Sequence, residues 1–90
     1  MKYVMITRTT GSVTQLIPVI FPETLIHSDV GETMMALVKQ QFKTGEFEIV
    51  SAGACTLHGA TCYGKSETLK LASDPSDSAR IRMIDYMQFE

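Results

Sequence analysis

The chain has no tryptophan, only two cysteines and no apolar run long enough to cross a bilayer, and each shortage removes a class of protein. Two cysteines cannot build the dense disulfide framework of a small secreted domain. The longest apolar stretch, Leu16 to Phe21, contains Pro18 and falls far short of the ~20 residues a membrane helix needs. The opening segment MKYVMITRTT turns polar after its sixth residue, so it does not read as a secretory signal. No membrane association is expected, and the expected compartment is the cytoplasm, where both thiols stay reduced.

Positive charge is thin as well. Eight Lys and Arg face ten Asp and Glu, for a net charge of −2. The cations are scattered: Lys39 and Lys43 near one helix end, Lys65 and Lys70 on one strand, Arg80 and Arg82 near the carboxyl end. No basic stripe with interleaved aromatics is visible, so nucleic acid is not an expected partner.

What is present suits one globular domain, residues 1–90, with an ordinary 44% apolar content. A chain this short buries only about 60–65% of its unfolded surface. Its core therefore sits at the small end, where a partner subunit often reinforces folding, and a homo-oligomer is expected.

The segment order reads β-β-α-β-β-α. KYVMITR and VTQLIPVIF make a hairpin around TTGS, and Pro18 places the second strand at an edge or a bulge. HSDVGETMMALVKQQFKTG is a helix, capped by Ser28 or Asp29, with Glu32 completing a capping box and Gly45 placed to end it. Val30, Met34, Leu37, Val38 and Phe42 form its apolar stripe. EFEIVSAGACTL and ATCYGKSETLKL read as a second hairpin around His58-Gly59, with small residues in the middle where a backbone or a ligand can approach. DPSDSARIRMIDYMQFE reads as a last helix started by Asp74 and Pro75, with Ile81, Ile84 and Met87 on one side, and RIRMIDYMQF within it also suits a strand. The expected fold is α+β: a two-layer sandwich of two antiparallel hairpins, one long helix across the sheet and a C-terminal helix.

GATCYGKS, residues 59–66, fits the phosphate-binding pattern G-x-x-x-x-G-K-[ST]. That chemistry needs a strand, a glycine-rich loop and then a helix whose first N–H groups hold phosphate. Here SETLKLASDP follows, alternating like a strand and reaching proline within ten residues. The reading is a hairpin strand rather than a nucleotide loop, with an unorthodox anion contact by Lys65 and Ser66 left open. The other polar groups near the small residues are Ser51, Gly53, His58 and Thr68, and Arg80 or Arg82 can supply charge for an anionic ligand.

If His58-Gly59 is a two-residue turn, Cys55 and Cys62 stand opposite each other as a hydrogen-bonded pair, close enough for a disulfide. Reduced thiols filling the sheet are the cytoplasmic expectation. CTLHGATC offers three zinc ligands and structural zinc wants four, so no metal and no cofactor are expected. No motif fixes a Cys–His pair for catalysis among Cys55, Cys62, His27 and His58, and the chain is not expected to be an enzyme.

IVSAG, CYGKSETL and SDPSDSARI resemble stretches of small uncharacterised bacteriophage and prophage accessory proteins. The resemblance covers the C-terminal half and implies a small accessory factor in the host cytoplasm, with no catalytic residue. The leading expectation is a non-catalytic binding protein that covers a host protein or sequesters a small anionic ligand. Pro18, Ile20 and Phe21 are its candidate exposed patch. A nucleotide-binding protein or small enzyme using Lys65 and Ser66, and a minor structural or assembly subunit, are the alternatives.

Overall fold

A computed structural model describes residues 1–56 and 61–88, with side chains in the last helix described through Arg82. The fold is mixed α+β, an antiparallel four-stranded sheet with two helices. Strands β1 (Lys2–Thr10) and β2 (Val13–Phe21) form the expected hairpin. Gly11 sits in its turn at φ +60, a conformation that costs glycine nothing. Strand β3 (Glu46–Cys55) pairs with the other side of β1, and short β4 (Cys62–Tyr63) pairs with the end of β3. The order β2-β1-β3-β4 leaves β2 at an edge, as Pro18 requires.

The way that edge is closed follows from the proline. Pro18 lies opposite Met5 and has no N–H to give, so it belongs to a pair whose polar groups point away from β1. Leu16, two residues earlier, points its carbonyl the same way. There Arg80 donates to it from Nε at 3.2 Å and Nη2 at 3.1 Å. A missing donor and an occupied acceptor blunt the middle of the strand against pairing with another chain.

Alternation along β1 sorts the core into two clusters. Tyr3 and Met5 face one way and pack with Cys55 and with Ile81 of helix α2 (Asp77–Gln88). Val4 faces the other way and packs with Phe21, Ala52 and Val30 of helix α1 (His27–Gln41). The two helices thus contact the sheet through different clusters, α2 through Ile81 and α1 through Val30. A bulge opposite Met5 and Ile6, where Val50 is the extra residue on β3, preserves this sorting across the pair.

Helix α1 differs from its expected ends. It begins at His27 with Ile26 as N-cap and no cap from its own side chains. Thr68 supplies the missing acceptor instead, its Oγ1 taking the Ser28 N–H at 3.2 Å. The helix stops at Phe42, which turns extended well before Gly45. Of the expected apolar stripe, Val38 is buried and Val30 packs on the core, while Leu37 is 50% exposed.

The expected long return strand after β4 is broken instead. Gly64, at φ +76, separates β4 from β5 (Lys65–Ser66), and a turn with Lys70 at φ 56 leads to β6 (Leu71–Ala72). The break lets Leu69 reach back to the α1 cluster. Asp74 then opens α2 much as expected: its Oδ1 accepts from the Ser76 N–H at 2.9 Å, and the regular helix starts at Asp77.

Candidate functional site

Placed on this frame, most of the sequence-selected ligand residues separate, while the Ser66 and Thr68 hydroxyls lie 3.4 Å apart. Ser51 is buried on the α2 face, where its hydroxyl donates to Asp77 Oδ2 at 2.5 Å. Gly53 serves a chain crossing: a Cβ there would sit 2.5 Å from the Tyr63 carbonyl oxygen and 3.1 Å from Ser73 Cβ. The approaching group is this protein's own backbone rather than a ligand. Lys65 is exposed and pairs with Glu67 at 3.5 Å. Ser66, beside it in sequence, is 1% exposed, and its Oγ accepts from the Leu69 N–H at 3.1 Å. Thr68 caps α1, Arg80 closes the β2 edge, and Arg82 is exposed on α2. His58 lies outside the described residues.

The Walker-like stretch therefore lacks its architecture. Lys65 and Ser66 form a two-residue strand and a turn follows, so no helix N-terminus stands behind them to hold a phosphate.

A buried polar knot that the sequence did not announce ties the termini of the chain together. Asp77 is 4% exposed, and its Oδ2 accepts from both the Tyr3 hydroxyl at 2.7 Å and the Ser51 hydroxyl. The Tyr3 oxygen accepts in turn from the Asp74 N–H at 3.3 Å. Burial, with the Asp77 bond second, holds the Tyr3 proton far above the ordinary range of a phenol. Tyr3 and Asp77 are far apart in the chain, and neither sits in a recognisable motif. Only the packing of α2 on β1 reveals them.

Cys55 and Cys62 do stand opposite each other, as a free pair. The register differs in kind from the expected one. Thr56 donates its N–H to the Thr61 carbonyl, and the Cys62 N–H turns outward to Ser78 Oγ at 3.0 Å. The cysteines therefore occupy a non-hydrogen-bonded position, where facing side chains come closest. Burial raises both thiols above their ordinary value, which leaves them weak nucleophiles at neutral pH. His27 is not near them. It is buried on the α1 side, its ring edge-on to Phe21 at 5.4 Å, and its Nε2–H donates to the Gly53 carbonyl at 2.8 Å.

Two accessible surfaces stand out among the described residues. One is the flank of α1, where Leu25, Ile26, Val30 and Met34 line a groove of about 300 Å³ with Asp29 and Thr33. Leu25 and Ile26 are 46% and 49% exposed, and Leu37 continues the same flank. The expected patch at Pro18, Ile20 and Phe21 is less open: Phe21 is buried, and the other two are half-buried. The second surface is the corner between the end of α1 and the start of β3, lined by Lys39, Phe42, Lys43, Gly45, Glu46 and Phe47. No helix among the described residues is long and apolar enough to cross a membrane. No protein-family model matches the chain, and no curated protein or solved structure matches it either.

Proposed function

We propose that this chain is a small non-catalytic binding protein, an accessory factor of the phage type, that works as a homo-oligomer joined through the α1 flank. The observation that carries the reading is the half-exposure of Leu25 and Ile26 at the entry to α1 and of Leu37 further along the same flank. Scattered apolar residues on a surface are ordinary, but a continuous flank with a groove beside it is the kind of surface that another chain covers.

A second copy is the occupant that the geometry favours. From Ile26 to Leu37 the flank runs roughly 16 Å along the helix axis at 1.5 Å per residue. In an antiparallel, two-fold pairing, Ile26 of one copy meets Leu37 of the other and Val30 meets Thr33, so one stripe serves both sides. A chain near the lower size limit for a self-sufficient core gains from such cover.

The non-catalytic part of the reading rests on where the reactive groups are used. The Tyr3 and Ser51 hydroxyls are both donated to Asp77, and His27 is held by Gly53 on the α1 side. These groups hold elements together. In the accessory-factor reading the assembled protein then covers a host protein with the surface left outside the subunit contact.

Sedimentation velocity across a range of concentrations tests this. The wild-type chain associates, whereas Ile26→Lys and Leu37→Lys sediment as monomers with unchanged far-ultraviolet circular dichroism. A wild-type chain that stays monomeric at every concentration sinks the self-association and hands the flank to a different protein. Association that survives both lysines places the contact elsewhere.

A further inference from the structure

We infer that the corner between α1 and β3 is a binding site for a nucleoside phosphate, a site apart from the α1 flank and from the Walker-like stretch. The inference starts from charge. Cations that are scattered in the sequence converge here in space: Arg8 comes from β1, and Lys39 and Lys43 come from the end of α1. Ion pairs among the described residues join Met1 to Glu23 and Lys65 to Glu67, and neither involves these three cations. Glu46 is the one carboxylate among the residues lining the corner, against Lys39 and Lys43, with Arg8 behind them on the Phe42 ring.

The arrangement is partly fixed in advance. Arg8 lies over the Phe42 ring at 4.5 Å and donates from Nε to the Thr44 carbonyl at 3.0 Å and from Nη2 to the Thr44 hydroxyl at 3.3 Å. A guanidinium has five N–H donors, so these contacts position the charge without exhausting it. Gly45, at φ +114, keeps the loop close against Arg8; a Cβ there would stand 3.1 Å from Arg8 Cγ. The negative end of α1 explains why lysines are favoured at Lys39 and Lys43. It does not explain the aromatic floor beneath them.

That floor is Phe42 and Phe47, half-buried, with ring centroids 6.4 Å apart. The hollow they line with the two lysines is about 440 Å³, within the usual size of a small-molecule site. It shares Gly45 and Glu46 with a neighbouring hollow lined by Thr9, Thr10 and Thr44. Each part suits one part of a nucleotide. A base stacks on an aromatic ring whatever its sequence, a phosphate takes lysine as a point charge, and hydroxyls bond to a sugar. An aliphatic anion would use the lysines and leave the rings idle.

The same chemistry reaches the site from two sources, a free nucleotide or one unit of a single strand. Calorimetry with ADP and fluorescence polarisation with a short labelled oligothymidylate, both at low ionic strength, test for each. ADP binds the wild-type chain, and Lys39→Glu or Lys43→Glu weakens it by about tenfold, the order expected for losing a phosphate contact. Lys65→Glu makes the same change in net charge elsewhere and leaves binding intact. Phe47→Leu keeps the charges and weakens binding through lost stacking. An oligothymidylate bound much more tightly than ADP, with strong salt dependence, identifies the strand as the source; similar affinities identify the free nucleotide. The inference is overturned if neither probe binds, if Lys65→Glu is as damaging as Lys43→Glu, or if Phe47→Leu changes nothing. All four substitutions are at exposed or half-buried positions, and a thermal melt separates unfolding from lost binding.

Discussion

Gly53 and Gly64 show how the same residue type serves two purposes within one crossing. At Gly53 the constraint is space. A methyl group would meet the Tyr63 carbonyl at 2.5 Å and the Gly64 carbonyl at 3.3 Å, both of them backbone atoms that cannot rotate away. At Gly64 a methyl would meet nothing within 4 Å, and the constraint is the left-handed conformation at φ +76. The Gly64 carbonyl then accepts from the Ser73 N–H at 2.9 Å, which fixes the path into β6. Gly53→Ala should therefore cost about 2–3 kcal/mol by overpacking. Gly64→Ala should cost about 1 kcal/mol by conformation. Urea unfolding of the two variants checks the ranking, and an equal or reversed order would place the constraint elsewhere.

At the scale of elements, the start of α1 depends on a residue 40 positions away in sequence. Thr68 accepts the Ser28 N–H, and Ser66 accepts the Leu69 N–H within the turn that presents Thr68. Thr68→Val keeps the shape and removes the acceptor, which should cost about 1 kcal/mol, the usual value of an N-cap. Ser28→Ala and Asp29→Ala, at the caps suggested by sequence, should cost much less. Thermal unfolding of the three variants distinguishes a distant cap from a local one. This also marks what was legible in the sequence. The first hairpin, the edge position of β2, the existence of α1 and α2 and the facing of Cys55 with Cys62 all follow from local signals: alternation, Pro18, apolar spacing and register. The break at Gly64, the cluster each helix joins and the distant cap depend on contacts between segments, which periodicity does not encode. For the same reason the proposed ligand set failed to converge. Ser51, Lys65, Ser66 and Arg80 are engaged in different parts of the fold, whereas Arg8 of β1 meets Phe42 and Thr44 just past the end of α1.

Across the whole molecule, the α2-side cluster joins β1, β3, β4 and α2 through groups that fold best when they are protonated. Burial raises the Cys55 and Cys62 thiols above their ordinary value of 9.0. Burial and the Asp77 bond raise the Tyr3 phenol above its ordinary 10.0. The sign of the pH dependence follows from linkage. Below the ordinary values both folded and unfolded chains hold these protons, and the stabilising contacts are fully present. As pH rises past about 9, the unfolded chain releases protons that the folded chain keeps, so the unfolded state is favoured and stability declines. The thiols set the beginning of the decline, and Tyr3 adds to it beyond about pH 10. Asp74 works in the opposite direction. Its bonds from the Ser76 N–H and hydroxyl lower its carboxyl, so that contribution is present above the ordinary 3.8 and is lost in acid. Urea midpoints measured with reductant present should hold level through neutrality and fall on the alkaline side. Tyr3→Phe, less stable at neutral pH for want of the Asp77 bond, should lose less of its remaining stability beyond pH 10 than the wild-type chain does. A parallel decline in the two proteins would mean that the phenol at the centre of the cluster is not what the alkaline limb reports.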